Sequence, residues 1–110
     1  MTYTIKTVKY GKDKTKYVPM FDDSSLDILS EFLTTEVQCF KTEIVDVIKK
    51  AKTTPEIIQF AGNVCLLSIE NEIVKLECNI DDANIGDDVV IGLEEFEQVV
   101  LSWIKDIQKW

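Results

Sequence analysis

Val64-Cys65-Leu66-Leu67-Ser68-Ile69-Glu70-Asn71-Glu72-Ile73-Val74-Lys75-Leu76-Glu77-Cys78-Asn79 is the stretch on which the fold turns. It reads as two β-prone runs joined by a tight turn at Asn71-Glu72. With those two residues as the loop, Glu70 faces Ile73, and the pairs Ile69–Val74, Leu67–Leu76 and Cys65–Cys78 fall on one side. Leu66–Glu77, Ser68–Lys75 and Glu70–Ile73 fall on the other. A slip of one residue scrambles this separation, so the alternation specifies the register. Cys65 and Cys78 become neighbours in a non-hydrogen-bonded pair. A disulfide there is conceivable but strained, and the expectation is two buried thiols.

On the C-terminal side, Ile80 to Asp88 is a loop holding Asp81, Asp82, Asn84, Gly86, Asp87 and Asp88. Val89-Val90-Ile91 is a further short strand. A final amphipathic helix follows Gly92, with Glu94, Glu95 and Glu97 at its positive end and Lys105 and Lys109 near its negative end. Its apolar face is Leu93, Phe96, Val100, Trp103 or Ile104, Ile107 and Trp110, and the role of Trp110 is left open.

On the N-terminal side, Ala61-Gly62-Asn63 is a turn signal after the short β-leaning run Ile57-Ile58-Gln59-Phe60. Before that, Leu26, Leu29, Leu33, Val37, Phe40, Ile44, Ile48 and Ala51 recur at steps of three and four, which predicts a long helix. Asp22-Asp23-Ser24-Ser25 supplies N-cap residue types. Thr35 and Gln38 fit a capping box, so either one kinked helix or two in series, broken near Thr34-Thr35, is expected. Residues 2–10 alternate as a half-exposed strand. Gly11-Lys12-Asp13 reads as a turn, and Lys16-Tyr17-Val18 as a strand that Pro19 ends. At 110 residues the chain is read as one α+β domain. It is expected to be an antiparallel β-meander with the long helix and the C-terminal helix packed on one face.

Charge narrows the function. The net charge is −8, with no His. All twelve basic residues are lysines, so there is no Arg. The commonest general base and the bidentate phosphate clamp are both missing. The acidity opposes nucleic acid and anionic membranes alike. No long apolar run or apolar N-terminal signal core is present, which gives the expectation of a cytoplasmic protein. Between Glu70 and Glu97 there are ten acidic residues against Lys75, whereas residues 1–18 hold Lys6, Lys9, Lys12, Lys14 and Lys16 against Asp13. The lysines suit protection of an edge strand.

The acidic side chains do not read as catalytic, because Glu94 and Glu95 answer the helix dipole and the aspartates lie in a loop. Asp82-x-Asn84-x-Gly86 resembles the start of a calcium loop, but its glycine is one place early and its twelfth position is Leu93. Cys39 has no His or Arg to stabilise a thiolate. No cofactor, metal or enzymatic activity is expected. Concentrated acidity instead favours fast, steered capture of a basic protein. The candidate contact residues are Glu70, Glu72, Glu77, Asp81, Asp82, Asp87 and Asp88.

A family resemblance enters through two segments. Phe60-Ala61-Gly62-Asn63-Val64-Cys65-Leu66-Leu67-Ser68-Ile69 has a G-N-x-C-type turn and strand. Leu93-Glu94-Glu95-Phe96-Glu97-Gln98-Val99-Val100-Leu101-Ser102-Trp103 has the L-x-x-F closing helix that ends in Trp. Together they resemble immunity proteins of bacterial contact-dependent growth inhibition systems. The resemblance implies a non-enzymatic cytoplasmic inhibitor of a cognate basic toxin domain, often a tRNA-cleaving nuclease. A translation elongation factor joins some such complexes through the toxin. The motifs transfer no contact residue. The other class the charge allows is an acidic adaptor or structural interaction domain with no toxin partner.

Overall fold

In the computed structural model the described residues are 3–9, 11–12, 14–63, 65–80, 83–84 and 88–108. The central hairpin has the register its alternation predicts. Strand β4 (Cys65–Glu70) pairs antiparallel with β5 (Ile73–Ile80) through Cys65–Cys78, Leu67–Leu76, Ile69–Val74 and Glu70–Ile73. Leu67, Ile69, Val74 and Leu76 are buried along the side that meets the helices. Strand β3 (Ile58–Ala61) extends the sheet on the β4 side, and β7 (Val89–Gly92) pairs with the first half of β5. The short β6 (Ala83–Asn84) pairs with its last residues.

Asn71 and Glu72 form the turn with φ of 51° and 64°. Positive φ at both central residues is the two-residue hairpin geometry whose twist matches the strands, and it normally selects Gly at the second place. Here a glutamate occupies it.

Cys65 and Cys78 are bonded, with their Cα atoms 4.1 Å apart. This corrects the expectation of two thiols. The register that puts them in the close, non-hydrogen-bonded type of pair already brings the sulfurs together. Cys39, on a helix, is free and exposed.

The helical layer starts with a 3₁₀ turn, Ser24–Leu26, opened by Asp23, whose Oδ1 accepts the Ser25 N–H at 2.9 Å. The Ser25 hydroxyl, and then its N–H, hold the Asp23 carboxyl below the usual range. Helix α1 (Asp27–Phe32) runs into a π-helical turn, Leu33–Val37, and on into α2 (Gln38–Ala51), which kinks at Phe40. The interruption falls where the sequence suggests one, but no capping box forms there and the chain stays helical. The wide turn displaces carbonyls from their usual partners, and side chains take them up. The Thr34 hydroxyl donates to the Ser30 carbonyl and the Thr35 hydroxyl to that of Glu31, each at 2.8 Å. The Trp103 indole N–H donates to the Leu33 carbonyl at 2.9 Å.

Glu36, in that π turn, is fully buried, and its Oε2 accepts the Asn63 N–H at 2.8 Å. A buried carboxylate is tolerated where fixed donors replace its water. Gly62 makes the approach possible, because a Cβ there would lie 1.2 Å from Glu36 Oε2. The Gly62 N–H donates to the Cys65 carbonyl, closing the β3–β4 connection.

Helix α3 (Leu93–Ile107) buries Leu93, Phe96, Val99, Val100 and Trp103. Its first N–H donates to the Glu72 carbonyl at 2.8 Å, so the hairpin turn caps the helix. All three helices pack on the same face of the sheet: α1 and α3 on β5, α3 also on β7, and α2 on β3. This is the α+β arrangement expected from the pattern. Trp110 lies outside the described residues.

The N-terminal strands form where the sequence places them, but their sheet and the end of the second differ from expectation. Strand β1 (Thr4–Lys9) and β2 (Thr15–Met20) form a separate two-stranded sheet, and β2 continues through Pro19. A two-stranded sheet has a free edge on each strand, where a residue without an N–H is accommodated. Pro19 is buried, and its carbonyl accepts a bond from the Ser30 hydroxyl. Tyr3 makes edge contacts with Phe21 and Trp103, and its hydroxyl donates to Asp106 on α3. These contacts hold the hairpin against the helices.

Candidate functional site

The helices cover one face of the sheet and leave the other open. Period-2 alternation assigns its residues: Gln59 from β3, Leu66, Ser68 and Glu70 from β4, Ile73, Lys75 and Glu77 from β5, and Val90 from β7. The face is neither wholly polar nor wholly acidic. Val90 is 62% exposed and Ile73 49%, with Ile57 beside β3 at 56%. Around them stand Glu70, Glu77 and Asp88. Ile57, Gln59, Ser68, Glu70, Ile73 and Val90 are among the residues that line a shallow depression of about 580 Å³ across the face. Three large aliphatic side chains therefore face solvent together around one depression, whereas apolar residues scattered singly over a surface are ordinary.

Lys75 changes the electrostatics expected of the acidic stretch. Its Nζ lies 3.3 Å from Glu77 Oε1 and 3.7 Å from Asp88 Oδ2. The Glu77 bond, then its charge and that of Asp88, raise the lysine's pKa. One cation therefore serves two of the acids, and Glu70 is the face's acid with no ion pair among the described residues. All three groups are well exposed, so the pairs add little stability.

A second acidic group gathers at the hairpin tip. The turn seats Glu72 against the start of α3, and Glu72, Glu94, Glu95 and Glu97 line a hollow of about 590 Å³ together with Lys52 from the end of α2. Lys52 Nζ pairs with Glu97 Oε1 at 2.5 Å. The remaining three carboxylates sit at the positive end of α3, where the helix dipole favours them.

The structure thus divides the seven expected contact residues. Glu70, Glu77 and Asp88 share the open face, and Glu72 stands at its edge on the tip. Asp81, Asp82 and Asp87 lie outside the described residues. The sequence reading passed over Ile57, Ile73 and Val90. The signal for Ile73 was present, since the register sets it opposite Glu70 on the side away from the core. Val90 could not be assigned a side until β7 had a partner. Glu94 and Glu95 were attributed to the helix dipole alone, and their proximity to Glu72 is a tertiary fact.

Among the described residues no three His, Cys, Asp or Glu side chains are grouped as a metal ion would need. No helix among them is long and apolar enough to cross a membrane. The chain matches no protein-family model, no curated protein and no solved structure.

Proposed function

We propose that this protein is a non-enzymatic, cytoplasmic immunity protein that neutralises a basic toxin domain by binding it across the open sheet face and hairpin tip. The observation that carries the binding surface is the uncovered face itself, where Ile57, Ile73 and Val90 are exposed amid Glu70, Glu77 and Asp88. Apolar side chains ringed by charge are the anatomy of a protein contact: burial supplies affinity, and the acids supply steering and partner choice. The turn supports the same reading. Glu72 holds a left-handed conformation that glycine would hold at lower cost, and such strain is retained where a side chain is needed. The toxin class, a tRNA-cleaving nuclease of contact-dependent growth inhibition, rests on the resemblance of the Gly62-Asn63-Val64-Cys65 and Leu93–Trp103 segments. A nuclease must present cations to phosphate, and an acidic face can occupy that site.

The test is co-expression with the basic C-terminal domain encoded by the adjacent effector gene. Growth rescue and co-purification are expected, with association slowing as salt rises. Ile73→Lys with Val90→Lys should abolish the complex in a chain that still folds. Failure to rescue or co-purify, or a complex indifferent to changes at Ile73, Val90, Glu70 and Glu72 together, refutes the proposal.

A further inference from the structure

The molecule carries a second exposed surface of opposite sign. The cross-strand pairs of the N-terminal hairpin put Tyr3, Pro19 and Tyr17 on the side that meets the helices. Val8, Val18 and Met20 therefore face away, flanked by Lys6, Lys14 and Lys16. Val8 is 39% and Met20 38% exposed, and all six residues of β1 are exposed. No acidic side chain occurs in β1 or β2.

This surface complements the chain's own sheet face. Each has an aliphatic centre, Val8, Val18 and Met20 on one and Ile57, Ile73 and Val90 on the other. Each also has charge of one predominant sign. The spacing agrees as well. Lys6 on β1 and Lys14 just before β2 are two same-face rows apart on neighbouring strands, as are Glu70 on β4 and Glu77 on β5. Four residues of strand make each offset ~14 Å along the chain. Yet the two surfaces cannot meet within one molecule. Tyr3 and Pro19 fix the hairpin to the helices, and the helices cover the opposite face of the sheet.

We infer that a second copy of this chain is the hairpin's partner: the cationic hairpin of one molecule docks on the acidic open face of the next. The contact is head-to-tail, so a pair keeps one free face on one copy and one free hairpin on the other, and assembly is open-ended unless the rotation between copies closes a ring. Each interface is small and belongs to the weak class. It uses the face proposed above for the toxin, but it stands on this chain's geometry alone and its test needs no other protein.

The experiment is sedimentation velocity of the purified protein over a range of concentrations. In about 0.1 M salt, with a Debye length of ~10 Å, the mean sedimentation coefficient should rise with concentration. In about 1 M salt, at ~3 Å, the rise should be much reduced. Two variants decide the matter. Lys6→Glu with Lys14→Glu, and Glu70→Lys with Glu77→Lys, should each be monomeric alone and associate when mixed. Both remain net acidic, so association on mixing needs local pairing, either of the unaltered hairpin of one with the unaltered face of the other or of the two exchanged patches. Circular dichroism checks that both fold. A wild-type chain that stays monomeric throughout, or folded variants that fail to associate on mixing, overturns the inference.

Discussion

Replacing Gly62 by alanine tests the junction between the π turn and the sheet. A Cβ there would lie 1.2 Å from Glu36 Oε2 and 2.3 Å from its Cδ, far inside the ~3.5–4.0 Å of ordinary contact. On a surface the carboxylate would swing aside at little cost. Glu36 is fully buried, so moving it breaks the Asn63 bond and forces a buried carboxylate from its place. A charge-assisted bond contributes ~1.5–3 kcal/mol, and breaking a buried charged pairing costs ~3–5 kcal/mol. Gly62→Ala is therefore expected to destabilise by about 3–5 kcal/mol, a large part of the ~5–15 kcal/mol typical of a domain. At ~4–8 °C per kcal/mol the fall in Tm should exceed about 12 °C. Urea unfolding of a double-mutant cycle supplies the control. In a Glu36→Ala background the clash is gone, and the same change should cost about 1 kcal/mol or less, giving a coupling of at least ~2 kcal/mol. A Gly62→Ala cost below ~1 kcal/mol, or equal costs in the two backgrounds, would refute the assignment.

Three further expectations follow from local geometry. Glu72→Gly removes a left-handed non-glycine residue and should stabilise the fold by about 0.5–1 kcal/mol in urea unfolding; a destabilised variant would show that the turn is not strained. Burial, and then the bond to Asp106, push the Tyr3 hydroxyl from 10.0 up to about 12. Its neutral form is the one the fold prefers, so this stability is complete below pH ~10 and lost as pH rises toward ~12. Because Tyr3 is only half-buried, screening leaves about 1 kcal/mol. Alkaline unfolding of Tyr3→Phe should lack that loss, and a wild-type curve matching the variant's would exclude it. The Cys65–Cys78 bond closes a loop spanning 13 positions. Under non-reducing denaturation one thiol per chain, Cys39, should react with an alkylating reagent, and three after reduction. Losing the bond should cost about 2–3 kcal/mol. Three reactive thiols without reductant would show the bond absent.

What could be read from the sequence was what short-range alternation encodes. Leu67, Ile69, Val74 and Leu76 can share a face in one register, and that register is the one observed. The long apolar stripe gave the helix but not its widening, because leucines at steps of three and four fit a straight helix equally well. The signs of the π turn, adjacent Thr34 and Thr35 and a glutamate at a position the core absorbs, acquire meaning only beside Trp103 and Gly62, distant in sequence. The separation of β1 and β2 from the main sheet was hidden for the same reason, since strand propensity does not name a partner. At the candidate site, charge density singles out Glu70, Glu72 and Glu77 but not their arrangement. The role of Lys75 depends on the register and on β7, which brings Asp88 within its reach.

The open sheet face has an implication for how such a chain can change over generations. Its side chains point away from every helix, and the residues that hold the strands together alternate with them on the other side. Substitutions at Gln59, Ser68, Glu70, Ile73, Lys75, Glu77 and Val90 can therefore be made with little penalty to folding, whereas the strand residues that alternate with them face the core. A library randomised at those seven places would retain its structure while its binding preference was rewritten. The pleat separates heredity of shape from heredity of surface, so one scaffold can change its outward face without relearning how to fold.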